Sequence, residues 1–244
     1  MSIEAHMKSL NLLAFDTSTD AMSIAVQRGQ DGSSQVWHHS GPGGAQTSAH
    51  LIPAIQDLMH QAGLTFAQLD AIAFGCGPGS FTGLRTACSV AQGLAFGAKV
   101  PVIPIDTLLC VAEEARFQHA PDLAHFAVLA LLDARMDELY ASHYEFNSGQ
   151  WRQIGGYSLI RPEDLACEPN STLAGNVFAA YGERLPAALT QRVDALPSAA
   201  ALLRLAPALL AAGAAVPADQ ALPIYIRDKV AKTTAERAAE KAAL

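Results

Sequence analysis

Residues 75–85 read GCGPGSFTGLR, a segment that contains four glycines and a proline. An apolar, strand-like run at Asp70–Cys76 leads into it, and an alanine-rich helical pattern at Thr82–Ala98 follows it. A glycine-rich turn between a strand and a helix is a common phosphate site, because free backbone N–H groups and the helix dipole face the anion. The stretch therefore raises the question of whether this chain holds a nucleotide.

The two best-known phosphate-binding patterns are absent from this turn. A P-loop requires G-x-x-x-x-G-K-[ST], but Pro78 stands at its first glycine position and Leu84 at its lysine position. The dinucleotide fingerprint G-x-G-x-x-G fails at Ser80 when it is counted from Gly75. Glycine also serves where the backbone must approach another group closely. Two interpretations stay open: an anion site, or a turn that only redirects the chain.

The candidate anion site combines this turn with the polar residues at the end of the first strand. Asp16 and Asp133, both at strand ends, could hold a magnesium–phosphate unit. Their simpler role is to form turns and to cap helices or loops. The vestigial nucleotide or phosphate site would consist of Asp16, Thr17, Ser18, Gly77, Gly79 and Ser80. A structural role is expected for Thr82, Gly83, Arg85 and Asp133, with Ser80 or Thr82 capping the helix.

Composition limits the classes of protein to be considered. The chain has 244 residues, of which 50% are hydrophobic and 16% are charged, so a sizeable packed core is expected. Its net charge is −7 and no basic stripe is visible, which argues against nucleic acid held by this chain alone. The four cysteines form no CxxC pair, which fits a reducing cytoplasm. No apolar run reaches the length of about 18 residues that a membrane span needs.

Hydrophobic periodicity predicts the order strand-strand-strand-helix-strand-helix-strand in the first half. A helix is expected over Ala45–Ala62, with Pro53 in its first turn, where the missing N–H costs little. Gly63 is expected to end this helix. These elements together favour an α/β class.

The second half begins again in a similar way, with an apolar strand at 126–132. Asp16 and Asp20 lie four residues apart between two strands, and Asp133 and Asp137 repeat this spacing between two later strands. Such an internal repeat, although weak, predicts two related lobes with a cleft between them.

The helix over Thr82–Ala98 is nearly apolar all round and consists mostly of small residues. A helix that is apolar on all sides is buried, so its side away from the sheet needs a cover. We expect this side to form a subunit interface together with the Ala45–Ala62 helix; the alternative is an internal helix covered by the second lobe. The predicted interface residues are Leu51, Ile52, Ile55, Met59, Thr86, Val90, Ala91, Gly93 and Gly97.

Residues with common catalytic chemistry form no recognisable set. The eight histidines include no HExxH or HxxxH pair, and His38 and His39 point to opposite faces of a strand. No GxSxG nucleophile elbow occurs. The sequence therefore predicts no catalytic residue and no metal site.

Six segments carry a family resemblance: LLAFDTSTDAMSIAV, SAHLIPAIQDLM, DAIAFGCGPGSFTGLRTACSVAQGLA, VIPIDTL, LLDARMDELYAS and LPIYIRDKVA. In this order, from Leu10 to about Ala231, they resemble the TsaB family, also known as YeaZ. The resemblance implies a two-lobed α/β fold of the actin, sugar-kinase and chaperone type (RNase H-like), with mixed sheets flanked by helices. We accordingly expect an N-terminal lobe over residues 7–107, with a C-terminal helix at 224–244 returning to it, and a C-terminal lobe over 108–223.

The resemblance also implies a function in the bacterial complex that makes N6-threonylcarbamoyladenosine in tRNA. The catalytic subunit of that complex is the paralogue TsaD, and TsaE is its ATPase partner. TsaD-like chains carry a metal-binding His-x-x-x-His, whereas the matching positions here hold Thr107 and Val111. Neither side chain can replace imidazole at a metal. The chain is therefore expected to be a non-catalytic scaffold or activating subunit.

Partners and cofactors follow from the same resemblance. TsaD is expected to bind through the two N-terminal helices, with TsaE as a further partner and a homodimer when the chain is isolated. Contact with tRNA is expected only through the complex, and no contact with a membrane is expected. No intrinsic cofactor is implied, and ATP or ADP would bind only in the complex with TsaD and TsaE.

Two other functions of the same superfamily stay open as alternatives. An M22-type metallopeptidase needs a metal-bound water, for which the histidine pair is missing. A small-molecule kinase needs a glycine-rich adenosine loop in the second lobe. Gly155, Gly156 and Gly175 are candidates for it, but no glycine pair precedes a helix at the expected place. The alanine-rich, charged tail is expected to be an exposed helix, or alternatively one that docks on a partner.

Overall fold

The computed structural model describes residues 9–30, 33–168, 171–186 and 191–227. The tail helix expected beyond residue 227 lies outside the described residues, whereas residues 224–227 are described and are not helical. No helix of the described ranges is long and apolar enough to cross a membrane.

The first half forms a five-stranded mixed sheet with the order β3-β2-β1-β4-β5. Its strands β1 to β3 are antiparallel neighbours, and β4 and β5 extend the sheet in parallel with β1. The strands are β1 (Leu12–Asp16), β2 (Ala21–Gln30), β3 (Ser33–Pro42), β4 (Ala71–Gly77) and β5 (Val102–Asp106). The central strands β1 and β4 are buried along their whole length, as expected for strands covered on both faces.

The second half repeats this topology in a second sheet with the order β10-β9-β6-β7-β8. Here β6 pairs antiparallel with β7 and parallel with β9, as β1 does with β2 and β4. The strands are β6 (His125–Asp133), β7 (Leu139–Asn147), β8 (Gln150–Ile160), β9 (Thr172–Gly175) and β10 (Gln191–Asp194). The prediction of two related halves, and the α/β class with two mixed sheets flanked by helices, are confirmed.

Five α-helices of the described residues flank the sheets: α1 (Thr47–Gln61), α2 (Phe81–Ala98), α3 (Thr107–His119), α4 (Phe178–Tyr181) and α5 (Ala199–Ala211). Successive residues of β1 point to opposite faces, so Leu13 and Phe15 pack under α1 and α2. Leu12 and Ala14 pack under α5 on the other face. Helix α5 thus covers the first sheet although it follows the second in the chain, and the predicted lobe boundaries stay a prediction.

Two details of the helices differ from expectation. Helix α1 begins at Thr47 after a 3-10 turn at Gly44–Gln46, so Pro53 lies inside the helix rather than in its first turn, and that prediction is wrong. The exposure of Pro53 explains why it is tolerated, since water can reach the carbonyl left without an N–H partner. Helix α3 was not predicted; the Asp106 side chain caps it by accepting from the Leu108 N–H at 2.9 Å.

Candidate functional site

The glycine-rich turn packs directly against the β1–β2 turn of the same chain. The Ser80 N–H donates to the Ser18 carbonyl oxygen at 2.7 Å, and the Thr17 hydroxyl donates to the Gly83 carbonyl oxygen at 2.8 Å. A Cβ on Gly79 would lie 2.6 Å from the Ser18 carbonyl oxygen, and one on Gly83 would overlap the Thr17 carbonyl oxygen. Contact between two turns of this chain therefore accounts for both glycines without an anion.

Asp16 is buried at the end of β1. Its Oδ1 accepts hydrogen bonds from the Ser18 N–H at 2.9 Å and from the Ser18 hydroxyl at 2.6 Å. Its Oδ2 has no hydrogen-bond partner among the described residues and lies against Gly75, where a Cβ would overlap it. Burial raises the pKa of Asp16, and the hydrogen bonds from Ser18 partly offset that rise. In this conformation the carboxylate is not accessible to a magnesium–phosphate unit.

A cleft of about 260 Å³ lies between the turns of the two halves. The first half contributes the β1–β2 turn and the glycine-rich turn, and the second half contributes the β6–β7 turn and Asn176. Arg227 completes the lining. Of the predicted anion-site residues, Ser18, Gly79 and Ser80 line this cleft, whereas Asp16, Thr17 and Gly77 do not.

Charges on the two walls of the cleft neutralise one another. Arg135, in the β6–β7 turn, forms an ion pair with Asp20 of the β1–β2 turn and a second with Asp133 at 3.4 Å. The hydrogen bond and the charge of Asp20 raise the pKa of Arg135. Asp137 pairs instead with Arg184. Arg135 thus joins the second aspartate of the first pair to the first aspartate of the second pair, so the two acids are not equivalent positions of the repeat.

The sequence interpretation missed the two arginines of this cleft. Arg135 lies in the segment DARMDELY and Arg227 in LPIYIRDKVA, and both segments contributed to the family resemblance. The signal was therefore present, but nothing in the spacing of the residues showed that two segments so far apart in the chain would meet.

The positions that match the metal-binding histidines of TsaD-like chains belong to the core. Thr107 and Val111 are fully buried on α3. The Thr107 hydroxyl accepts a hydrogen bond from the Gly77 N–H at 3.0 Å. Within the described ranges, no three His, Cys, Asp or Glu side chains converge as metal ligands would.

The predicted interface residues divide into two groups by burial. Leu51, Ile55, Met59 and Ala91 pack in the core of this chain, so their side chains are not available to a partner, which corrects the predicted set. Ile52, Gly93 and Gly97 are exposed, and Thr86 and Val90 are partly buried. A helix that packs on a sheet must turn one face inward. The sequence interpretation assigned the four buried residues to the outward face, whereas they lie on the inward one.

The exposed face of α2 has one feature that the sequence interpretation did not single out. Phe96 is 81% exposed, more than any other large hydrophobic residue of the described ranges. Gly93 and Gly97 flank it, and a Cβ built on either glycine would meet no atom within 4 Å. In the second half of α2, the outer face therefore presents one large ring beside two positions without side chains.

At the start of α2, Ser80 rather than Thr82 caps the helix. Ser80 is the N-cap and accepts from the Gly83 N–H at 3.5 Å, while Thr82 is exposed in the first turn. The Arg85 guanidinium lies 3.9 Å above the Phe81 ring and donates to the Tyr225 hydroxyl oxygen at 3.1 Å.

Comparisons with known proteins agree over most of the chain. A family profile described as "TsaD: tRNA N6-adenosine threonylcarbamoyltransferase" matches residues 33–239. The chain is 36% identical to the "tRNA threonylcarbamoyladenosine biosynthesis protein TsaB" of Haemophilus influenzae, over 92% of this chain and 96% of the relative. It is 31% identical to the Escherichia coli protein of the same name, over 91% of this chain and 96% of the relative.

A solved structure is similar to this chain in both fold and sequence. The structure described as "YeaZ from Pseudomonas aeruginosa" superposes with a TM-score of 0.77 at 37% sequence identity. The match covers 89% of this chain and 100% of that one, so it includes both sheets.

Proposed function

The chain belongs to the TsaB (YeaZ) family, and we propose that it acts in tRNA threonylcarbamoyladenosine biosynthesis as a non-catalytic subunit that binds and activates TsaD. The role in the pathway follows from the family, since the relatives are named for it. The subunit role and the partner are the further steps of the proposal. Both steps are supported chiefly by the exposed face of α2 around Phe96.

An aromatic ring that is 81% exposed, beside two glycines of the same helix, is the kind of side chain that serves as an anchor when an interface buries it. The glycines on either side allow a second helix to approach the backbone closely, because no side chain stands in the way. We place the TsaD-binding surface on Ile52, Thr86, Val90, Gly93, Phe96 and Gly97.

The non-catalytic role is supported by the two positions that replace the histidine pair. Thr107 and Val111 are enclosed by the core, and the Thr107 hydroxyl is already engaged by the Gly77 N–H. A metal-bound water, which peptidase chemistry of this superfamily would need, has no ligand at either position. Turnover of ATP or of peptide by the isolated chain would contradict this part of the proposal.

The remaining partners and cofactors are part of the same proposal. TsaE joins through the complex, and the isolated chain pairs with a second copy through the same α2 face. The net charge of −7 makes this chain a poor tRNA ligand by itself, so tRNA is bound through the partner. No cofactor belongs to this chain alone, and ATP or ADP binds only in the complex with TsaD and TsaE.

Gly93→Arg tests the surface without disturbing the fold. An arginine is a better helix former than glycine, and this position has open space, so the variant is expected to fold. A large charge in a close helix contact is expected to weaken TsaD binding by about a hundredfold, or roughly 3 kcal/mol. The measurement is titration calorimetry against TsaD, followed by reconstitution of the tRNA modification.

Gly156→Arg is the matched control for Gly93→Arg. Gly156 is an exposed glycine of β8 whose Cβ would also meet nothing within 4 Å, and it lies on the other sheet. The control is expected to bind TsaD as the unchanged protein does. Normal binding by Gly93→Arg would show that α2 is not the docking surface.

A further inference from the structure

Residues 221–227 form a strap that joins the two halves beside the cleft. They are neither helix nor strand. They contact α2 and the end of β4 at one end, and residues 133–138 of the β6–β7 turn at the other. Ile224–Arg227 also line a small extension of the cleft together with Gly79 and Phe81.

Hydrogen bonds to the backbone of the strap hold it to α2 and β4. The Ala221 carbonyl oxygen accepts from the Gln92 amide at 2.8 Å and from the Cys88 thiol at 3.2 Å. The Ile224 N–H donates to the carbonyl oxygen of Cys76, near the end of β4, at 2.7 Å. Three groups on α2 and β4 therefore fix the path of residues 221–224.

An aromatic and cationic cluster holds the middle of the strap to the first turns of α2. The centres of the Tyr225 and Phe81 rings are 5.4 Å apart, and the Tyr225 hydroxyl oxygen accepts from Arg85. Each of these side chains is exposed to solvent, so the cluster is open to whatever touches the outer face of α2.

Arg227 fastens the strap to the second half. Its guanidinium donates to the carbonyl oxygens of Ala134 at 3.0 Å and Arg135 at 3.2 Å, and it pairs with Glu138 at 2.7 Å. Its side chain is 11% exposed. All of these contacts are made to the β6–β7 turn, which contains Arg135.

That turn needs contacts from outside itself. Arg135, Met136 and Asp137 have φ values of 60°, 55° and 66°, a left-handed conformation that costs free energy in residues other than glycine. Three successive residues of this kind persist only where the surroundings hold them. Arg227 supplies two of these contacts to the backbone, and the ion pair of Asp137 with Arg184 supplies another.

We propose that the strap couples the exposed face of α2 to the cleft, with Arg227 as the positioning residue at its far end. A change at Phe81, Arg85 or Tyr225 shifts the strap, the strap shifts Arg227, and the 133–138 turn moves with it. The movement reaches Arg135 and its ion pair with Asp20, which bridges the cleft. The coupling goes beyond the proposed function, because it depends only on contacts within this chain.

Hydrogen exchange on the isolated full-length chain tests the coupling. The N–H groups of Ala134 and Glu138 are bonded within the turn, and that of Arg135 is bonded to Asp133, so a peptide over 133–139 reports its integrity. Arg85→Ala removes contacts to Phe81 and Tyr225 only. Coupling predicts that exchange in this peptide becomes at least about threefold faster in Arg85→Ala, as in Arg227→Gln.

Arg152→Ala is the matched control for Arg85→Ala. Arg152 is an exposed arginine of β8 with one ion pair, to Glu145, and it does not touch the strap. Its loss is expected to leave exchange at 133–139 unchanged. A change in Arg85→Ala that is confined to the strap and the start of α2 would overturn the proposal. The result is independent of TsaD, so failure of the coupling and failure of the TsaD-binding proposal are distinguished.

Discussion

At the scale of single residues, Glu113 shows how one buried carboxylate can connect three elements. It lies on α3 and accepts from Arg116 of the same helix at 2.9 Å, from Trp151 of β8 at 3.0 Å and from Arg204 of α5 at 2.8 Å. Burial raises the pKa of Glu113, but these donors outweigh burial and hold it below the ordinary value. Glu113 thus joins α5, which covers the first sheet, to β8 of the second sheet.

Glu113→Gln is expected to lower the free energy of unfolding by about 3 kcal/mol at pH 7, because it leaves the charge of the partly buried Arg116 without a carboxylate partner. The contribution of a carboxylate whose pKa is lowered by folding is present above the ordinary value of 4.5 and is lost as the pH falls through the folded pKa. Urea unfolding of both proteins should therefore show a difference that shrinks below about pH 4.5.

Glu145→Gln is the control for this prediction, because its partner Arg152 is exposed and such pairs contribute roughly 0–1 kcal/mol. Equal losses in the two variants would contradict the assigned role of Glu113.

At the scale of elements, α2 contains glycines that serve opposite purposes. Gly83 sits in the first turn, where the Thr17 carbonyl oxygen occupies the space of a Cβ. Gly93 and Gly97 lie in the second half of the helix with open space around them. The sequence assigned a structural role to Gly83 and an interface to Gly93 and Gly97. It could not identify the contact at Gly83, because that contact comes from a turn 66 residues earlier in the chain.

Gly83→Ala and Gly97→Ala are expected to change stability in opposite directions. The first must separate the two turns and is expected to cost about 2 kcal/mol or more, as overpacking does. The second removes backbone freedom from the unfolded chain at a compatible helical position and is expected to add roughly 0.5–1 kcal/mol. Thermal unfolding measures both variants, and a Gly83→Ala protein as stable as the unchanged one would contradict the close contact.

At the scale of the whole molecule, the two sheets share one topology but do not form independent units. Helix α5 leaves the second sheet and covers the first, α3 lies between them, and the strap crosses at the cleft. The two repeated halves are therefore joined in one structure, because α5 from the second half of the chain covers the sheet of the first half.

The two halves are expected to unfold in one transition. Trp37 packs with the core of the first sheet and Trp151 lies on β8 of the second, and the chain has two tryptophans in all. In Trp151→Phe, the remaining Trp37 reports the first sheet by fluorescence, while circular dichroism reports both sheets. Coincident midpoints are the two-state result, and a separate fluorescence midpoint would show that the lobes unfold independently.

Local sequence patterns were enough to predict the class of fold, the repeat, most strand and helix positions, and the family. These properties depend on local periodicity and on motifs such as GPGSFTGLR and DARMDELY, which are short continuous segments of the chain. Helix α1 ends two residues before Gly63, which has a φ of 62°. This helix end was predictable for the same reason, because glycine adopts such a backbone conformation without strain.

The contacts that the motifs make depend on how the whole chain folds. It brought the glycine-rich turn against Thr17 and Ser18, buried Asp16, and set Arg135 and Arg227 around the cleft. It also turned Ala91 inward and Phe96 outward on the same helix. These outcomes depend on contacts between residues far apart in the chain, and the spacing of residues along one element carries no information about which distant segment will cover it.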